Sequence, residues 1–109
     1  MTDAREALAQ RIRRLLTAHD DVRELNMFGG LSFMVDGRMA VAARRDGGLL
    51  LRTAPERHDE LLSRGAEPAR MGADRPMGEA WLTVPPARVA DDGQLAFWIA
   101  VGVESRADH

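Results

Sequence analysis

Two Asp-Gly dipeptides, Asp36-Gly37 and Asp46-Gly47, stand between short apolar runs, and this arrangement leaves the chain few ways to fold. The two central positions of the tightest hairpin turn need positive φ, which Asp and Gly tolerate. Before the first dipeptide, Leu31, Phe33 and Val35 alternate with Ser32, Met34 and Asp36, the period of a strand. Arg38 to Ala43 is the returning strand. Arg45-Asp46-Gly47-Gly48 closes a second hairpin, and Leu49 to Arg52 is the third strand. The segment therefore predicts a three-stranded antiparallel meander.

The flanks supply helices. Thr2 or Asp3 can cap a first helix, with Glu6 completing a capping box after Asp3. Leu8, Ile12, Leu15 and Leu16 give it one apolar face, and His19 suits its C-terminal end, so residues 1–19 form an N-terminal helix. Val22 to Asn26 leads toward the first strand. Thr53, Pro55 and Glu56 open a second helix, Leu61 and Leu62 give its apolar side, and Gly65 stops it. Glu67 to Met71 and Met77 to Val84 are further strands around a loop at Gly72 to Pro76, and Pro85-Pro86 ends the second of them. Asp91 or Asp92 caps a last helix whose buried face carries Leu95, Trp98, Ile99, Gly102 and Val103; Phe97 points elsewhere. Residues 106–109 read as a frayed tail. The order is α-β-β-β-α-β-β-α. It predicts a single α+β domain over residues 1–109, with helices layered on a five-stranded antiparallel sheet.

Composition excludes several chemistries. The 109-residue chain has no Cys, hence no disulfide, thiolate zinc site, iron–sulfur cluster or Cys nucleophile. Its basic residues are all Arg and its formal charge is −2, which does not favour direct nucleic-acid binding. The N-terminus lacks the pattern of a signal peptide. No apolar run approaches the roughly 20 residues of a membrane span. The expected setting is the cytoplasm, away from membranes.

The segment MFGGLSFMVDGRMAVAARRDGGLLLRT resembles the N-terminal domain of TfoX/Sxy-type proteins. Met27-Phe28-Gly29-Gly30 matches the opening motif of that family, and Asp36-Gly37 its first turn. Gly65-Ala66-Glu67-Pro68, Trp81-Leu82-Thr83-Val84-Pro85 and Asp91 to Trp98 are similar to later family features. The likeness runs from Met27 to Ala100. It implies a fold similar to the secretion-chaperone-like α+β sandwich. Full-length competence regulators of this type carry a further C-terminal helix-hairpin-helix domain, which is not in this sequence. The likeness therefore implies a stand-alone domain, non-enzymatic and regulatory, that acts through protein contacts.

No residue pattern marks a catalytic centre. Ser32, Ser63 and Thr83 lack the nucleophile-elbow context. His58-Asp59-Glu60 are neighbours on a helix and point in different directions, so they do not make a metal grip, and no cofactor is expected. Gly29-Gly30 reads as a strand kink, with a small enzyme or an anion site at Met27 to Gly30 as the alternative. Arg11, Arg13, Arg14, Arg44 and Arg45 lie among acids and read as solvated surface; an accessory role in nucleic-acid binding is a second alternative. The distinctive feature is surplus apolar surface. If Leu31, Phe33, Val35, Met39 and Val41 face the helices, then Met34, Ala40, Ala42 and Leu50 lie on the opposite sheet face, with Phe97 also outside the buried stripe. An open apolar face of this kind predicts a protein partner, either an adaptor contact or a homodimer.

Overall fold

A computed structural model of the chain describes residues 3–17, 21–27, 30–69 and 80–107. Helix α1 (Ala4–Leu15) is followed by strands β1 (Val22–Met27), β2 (Gly30–Val35), β3 (Arg38–Ala43) and β4 (Leu49–Arg52). A 3₁₀ turn (Pro55–Arg57) runs into helix α2 (His58–Ser63). Then come β5 (Glu67–Pro68), β6 (Trp81–Val84), a second 3₁₀ turn (Pro86–Arg88) and helix α3 (Asp92–Ala107). The class is α+β, as expected. The antiparallel sheet has six strands in the order β1-β2-β3-β4-β6-β5 rather than five, because Val22–Met27 is a full strand. It pairs residue for residue with β2, from Val22↔Val35 to Met27↔Gly30.

Both turn dipeptides behave as their chemistry dictates. Asp36 (φ 54°) and Gly37 (φ 85°) have positive φ, and Gly47 (φ 85°) does so in the second turn. Asp46 Oδ1 also accepts a 2.8 Å hydrogen bond from the Gly48 N–H. Asp3 caps α1 by accepting from the Glu6 N–H at 2.7 Å, but Glu6 turns its carboxylate to Arg13 instead of completing the box. Asp91 caps α3 through the Gln94 N–H at 2.7 Å. Thr53 caps nothing: it is buried, and its N–H bonds the Ala80 carbonyl as the sheet ends. Gly65, at φ 110°, ends α2. Helix α3 continues through Ala107, so Arg106 is helical rather than frayed tail. His19, His109 and the expected loop at 72–76 lie outside the described residues.

Helices α1 and α3 pack on one sheet face. Leu8, Ile12 and Leu16 meet Phe33, Val35, Val41 and Ala43, while Leu95, Trp98 and Ile99 extend the same core over Leu49, Leu51, Leu82 and Val84. The expectation for the other face needs two corrections. The first concerns β3. Phe33 pairs with Val41 and Met34 with Met39, so Ala40 is an extra residue in a β-bulge. The bulge breaks the alternation. Ala40 joins the helix-side core, and Met39 moves to the opposite face beside Ala42 and Leu50. Gly102 of α3 seats on this bulge: a Cβ there would lie 2.2 Å from the Ala40 carbonyl oxygen.

The second correction concerns exposure. Within the single chain Ala42 is 1% exposed and Leu50 6%, and Ala69, Ser32 and Thr83 are buried with them. Trp81 and Met39 pack at the margin of this small second cluster. The sheet is therefore covered on both faces at Ala42 and Leu50, and the bare apolar platform predicted there does not exist. No helix among the described residues is long and apolar enough to cross a membrane.

Candidate functional site

Among the described residues a surface groove lies where α2, the second 3₁₀ turn and α3 converge. This open groove of about 340 Å³ is lined by Arg64, Arg88, Gly93, Gln94, Phe97 and Trp98. Trp98 belongs to the core, and Phe97 packs edge-on against it with ring centroids 5.0 Å apart and planes at 80°. Leu95, Trp98 and Ile99 occupy the buried stripe of α3, so a residue at position 97 falls on its flank. Phe97 is thus half-buried and forms the apolar floor of the groove.

Two arginines border that floor, each held by packing. The Arg64 guanidinium carbon stands 4.9 Å from the Phe97 ring centroid, a cation–π arrangement. The Arg88 side chain lies across Gly65, where a Cβ would come within 2.8 Å of its Nε and 2.9 Å of its Cδ. Glycine at 65 therefore serves twice, supplying the positive φ that ends α2 and the space for Arg88.

The neighbouring acids already have partners. Arg57 donates twice to Glu60, at 3.3 Å each, and once to Glu104 at 2.9 Å. The Arg57 hydrogen bond holds the Glu60 carboxyl below its usual range. Asp92 pairs with Arg11 at 3.1 Å, and Asp91 is the α3 cap. Arg64 forms an ion pair with Glu60 only at 3.9 Å, and the Arg88 side chain has no ion pair or hydrogen bond among the described residues, its backbone N–H bonding the Pro85 carbonyl. The groove thus combines an aromatic floor with two guanidinium groups that no acid among the described residues holds at hydrogen-bond distance.

Of the five residues expected to form an interaction face, Phe97 alone lies in this groove. Ala40, Ala42 and Leu50 are buried, and Met34 is half-buried on the far side of the sheet. In the Met27–Gly30 motif, Phe28 and Gly29 lie outside the described residues. Gly30 pairs with Met27 and is buried, and a Cβ there would sit 2.5 Å from the Ala43 carbonyl oxygen. Its glycine is required by strand packing. Ser32 is fully buried, Ser63 is exposed and donates to the Glu60 carbonyl, and Thr83 is buried. Among the described residues no three His, Asp or Glu side chains come together as a metal site. Arg13 is bracketed by Glu24 (2.7 Å) and Glu6 (3.0 Å), Arg11 pairs with Asp92 (3.1 Å), and Arg44 lies 3.9 Å from Asp46.

The family model of the TfoX N-terminal domain matches residues 14–105. The chain belongs to the TfoX N-terminal domain family. The match takes in the motif strands β1 and β2, the sheet, and every residue that lines the groove. No curated protein and no solved structure matches the chain significantly. In this TfoX N-terminal domain the groove residues are separated by up to 34 positions in sequence, Arg64 to Trp98, and the fold brings them together.

Proposed function

We propose that this TfoX N-terminal domain is a non-enzymatic, regulatory protein-interaction module of the cytoplasm, and that it engages its partner through the groove on α2 and α3. The observation that carries this reading is the half-buried Phe97 between two arginines that no acid among the described residues holds at hydrogen-bond distance. Aromatic and arginine side chains together are the usual anchors of protein interfaces. The burial of Ala42 and Leu50 on the second sheet face favours the groove over that face. Affinity capture from the native cell, with wild type against Phe97→Ser, tests it. A protein retained by wild type and lost by a variant with an unchanged thermal melt is the expected result. Equal retention by both would remove the groove from the interaction.

Self-association is a second reading, favoured by a separate observation. Leu25 is the exposed large apolar side chain of the described residues, at 49%, and it lies on the edge strand β1. A second copy adding there would extend the sheet rather than cover its face.

A further inference from the structure

The geometry points to a specific occupant for the groove: an acidic peptide segment in which a carboxylate adjoins an apolar side chain. This rests on the interaction reading above and supplies its chemistry. Guanidinium groups pair with carboxylates through charge-assisted, often bidentate hydrogen bonds. Arg64 and Arg88 flank the groove, and among the described residues no acid holds either at hydrogen-bond distance: Glu60 is engaged by Arg57, Asp92 by Arg11, and Asp91 by the α3 cap. Phe97 offers an apolar surface between them, and the first turn of α3, at Gly93 and Gln94, adds the positive end of a helix dipole. A ligand that satisfies all of these carries negative charge and an apolar group a few ångströms apart.

The surroundings select among anions. Glu60, Asp91 and Asp92 are all exposed around the groove, and the whole chain carries a formal charge of −2. A nucleic-acid strand, with a phosphate at every nucleotide, would meet this acidic rim, whereas one or two peptide carboxylates can sit between the arginines and avoid it. The groove is also open. Arg64, Arg88 and Gly93 are exposed along its length, which suits an extended segment better than an enclosed small molecule. Both arginines are held in place before binding, Arg64 by Phe97 and Arg88 by Gly65, so less side-chain entropy is lost when the partner arrives.

The test uses the full chain and a fluorescent peptide of neutral residues that carries one or two Asp or Glu beside Leu or Phe. Its Asn/Gln counterpart, a single-stranded oligonucleotide of equal length and free benzoate serve as competitors. The acidic peptide is expected to bind, to shift the Gly93 and Gln94 amides and the Trp98 indole N–H in NMR spectra, and to weaken as salt rises. Arg64→Gln and Arg88→Gln should each reduce affinity about tenfold or more, the usual effect of losing a charged hydrogen-bond partner. Equal binding of the Asn/Gln peptide, tighter binding of the oligonucleotide, benzoate as effective as the peptide, or shifts confined to another surface would each overturn the assignment. A captured partner that depends on Phe97 but is indifferent to both arginine variants would leave the interaction reading standing and remove the acidic peptide. Loss of dependence on Phe97 would remove both.

Discussion

Single residues decide how closely the layers approach. Gly102 allows α3 to rest on the β3 bulge, and a methyl group added there meets a backbone carbonyl at 2.2 Å, which no rotamer change relieves. Gly102→Ala is expected to destabilise the fold by about 2–3 kcal/mol, the range for overpacking a tight contact, as read from urea denaturation. An unchanged midpoint would mean that α3 is not held against the bulge. The pair of Arg13 and Glu24 acts differently. Both side chains are partly exposed, yet two 2.7 Å hydrogen bonds join them in bidentate geometry. The Arg13 hydrogen bond lowers the Glu24 carboxyl from its ordinary value, with burial opposing. A carboxyl lowered in the folded state adds stability above its unfolded value, and that stability is lost as pH falls through the folded value. Glu24→Gln should therefore cost about 0.5–1 kcal/mol at neutral pH, with the difference from wild type closing as pH falls below the ordinary glutamate range and through the lowered folded value. A difference that persisted in acid would show that the loss came from packing and not from charge.

At the scale of elements, the second sheet face gives the clearest prediction. Leu50 is buried against Ala42 and Ala69, so Leu50→Glu places a carboxylate among apolar groups without a partner. The expected loss is about 3 kcal/mol or more, seen as a large fall in melting temperature. A variant that melts like wild type would restore the open face. Where sequence reasoning succeeded and failed follows from the same physics. Asp36-Gly37 and Asp46-Gly47 fixed the hairpins because turn geometry is local, and Asp3, Gly65 and Asp91 marked helix ends for the same reason. β1 was not legible as a full strand: it is an edge strand, and Arg23, Glu24 and Asn26 are exposed, so its alternation is blurred. The bulge at Ala40 left no mark within β3, where Met39 and Val41 look in phase. The available signal was Gly102, a glycine within the apolar stripe of a distant helix, which is where a backbone must come close. The groove was legible only at Phe97, as an aromatic residue off the buried stripe, because Arg64 and Arg88 reach it through tertiary packing.

The whole molecule closes upon itself. Its radius of gyration of 12.7 Å matches the roughly 13 Å expected for a compact chain of about 100 residues, and its sheet leaves two edge strands. One edge, β5, is two residues long and contains Pro68, a poor template for pairing. The other, β1, is six residues long, free of proline and unbroken in its pairing with β2. Two identical strands that pair antiparallel about a two-fold axis place one residue opposite its own counterpart. Centred on Arg23 or on Glu24, such pairing opposes like charges, which is unfavourable. Centred on Leu25, it joins two apolar side chains and sets Glu24 across from Asn26. If the domain self-associates, a register centred on Leu25 opposes no like charges and pairs the exposed apolar side chain with its own counterpart. Sedimentation of wild type at rising concentration should then show a monomer–dimer equilibrium, and Leu25→Glu should sediment as a monomer with an unchanged melt, since Leu25 is already half exposed. A wild type that stays monomeric into the high micromolar range would remove the edge-strand dimer and leave the groove on α2 and α3 as the proposed contact surface.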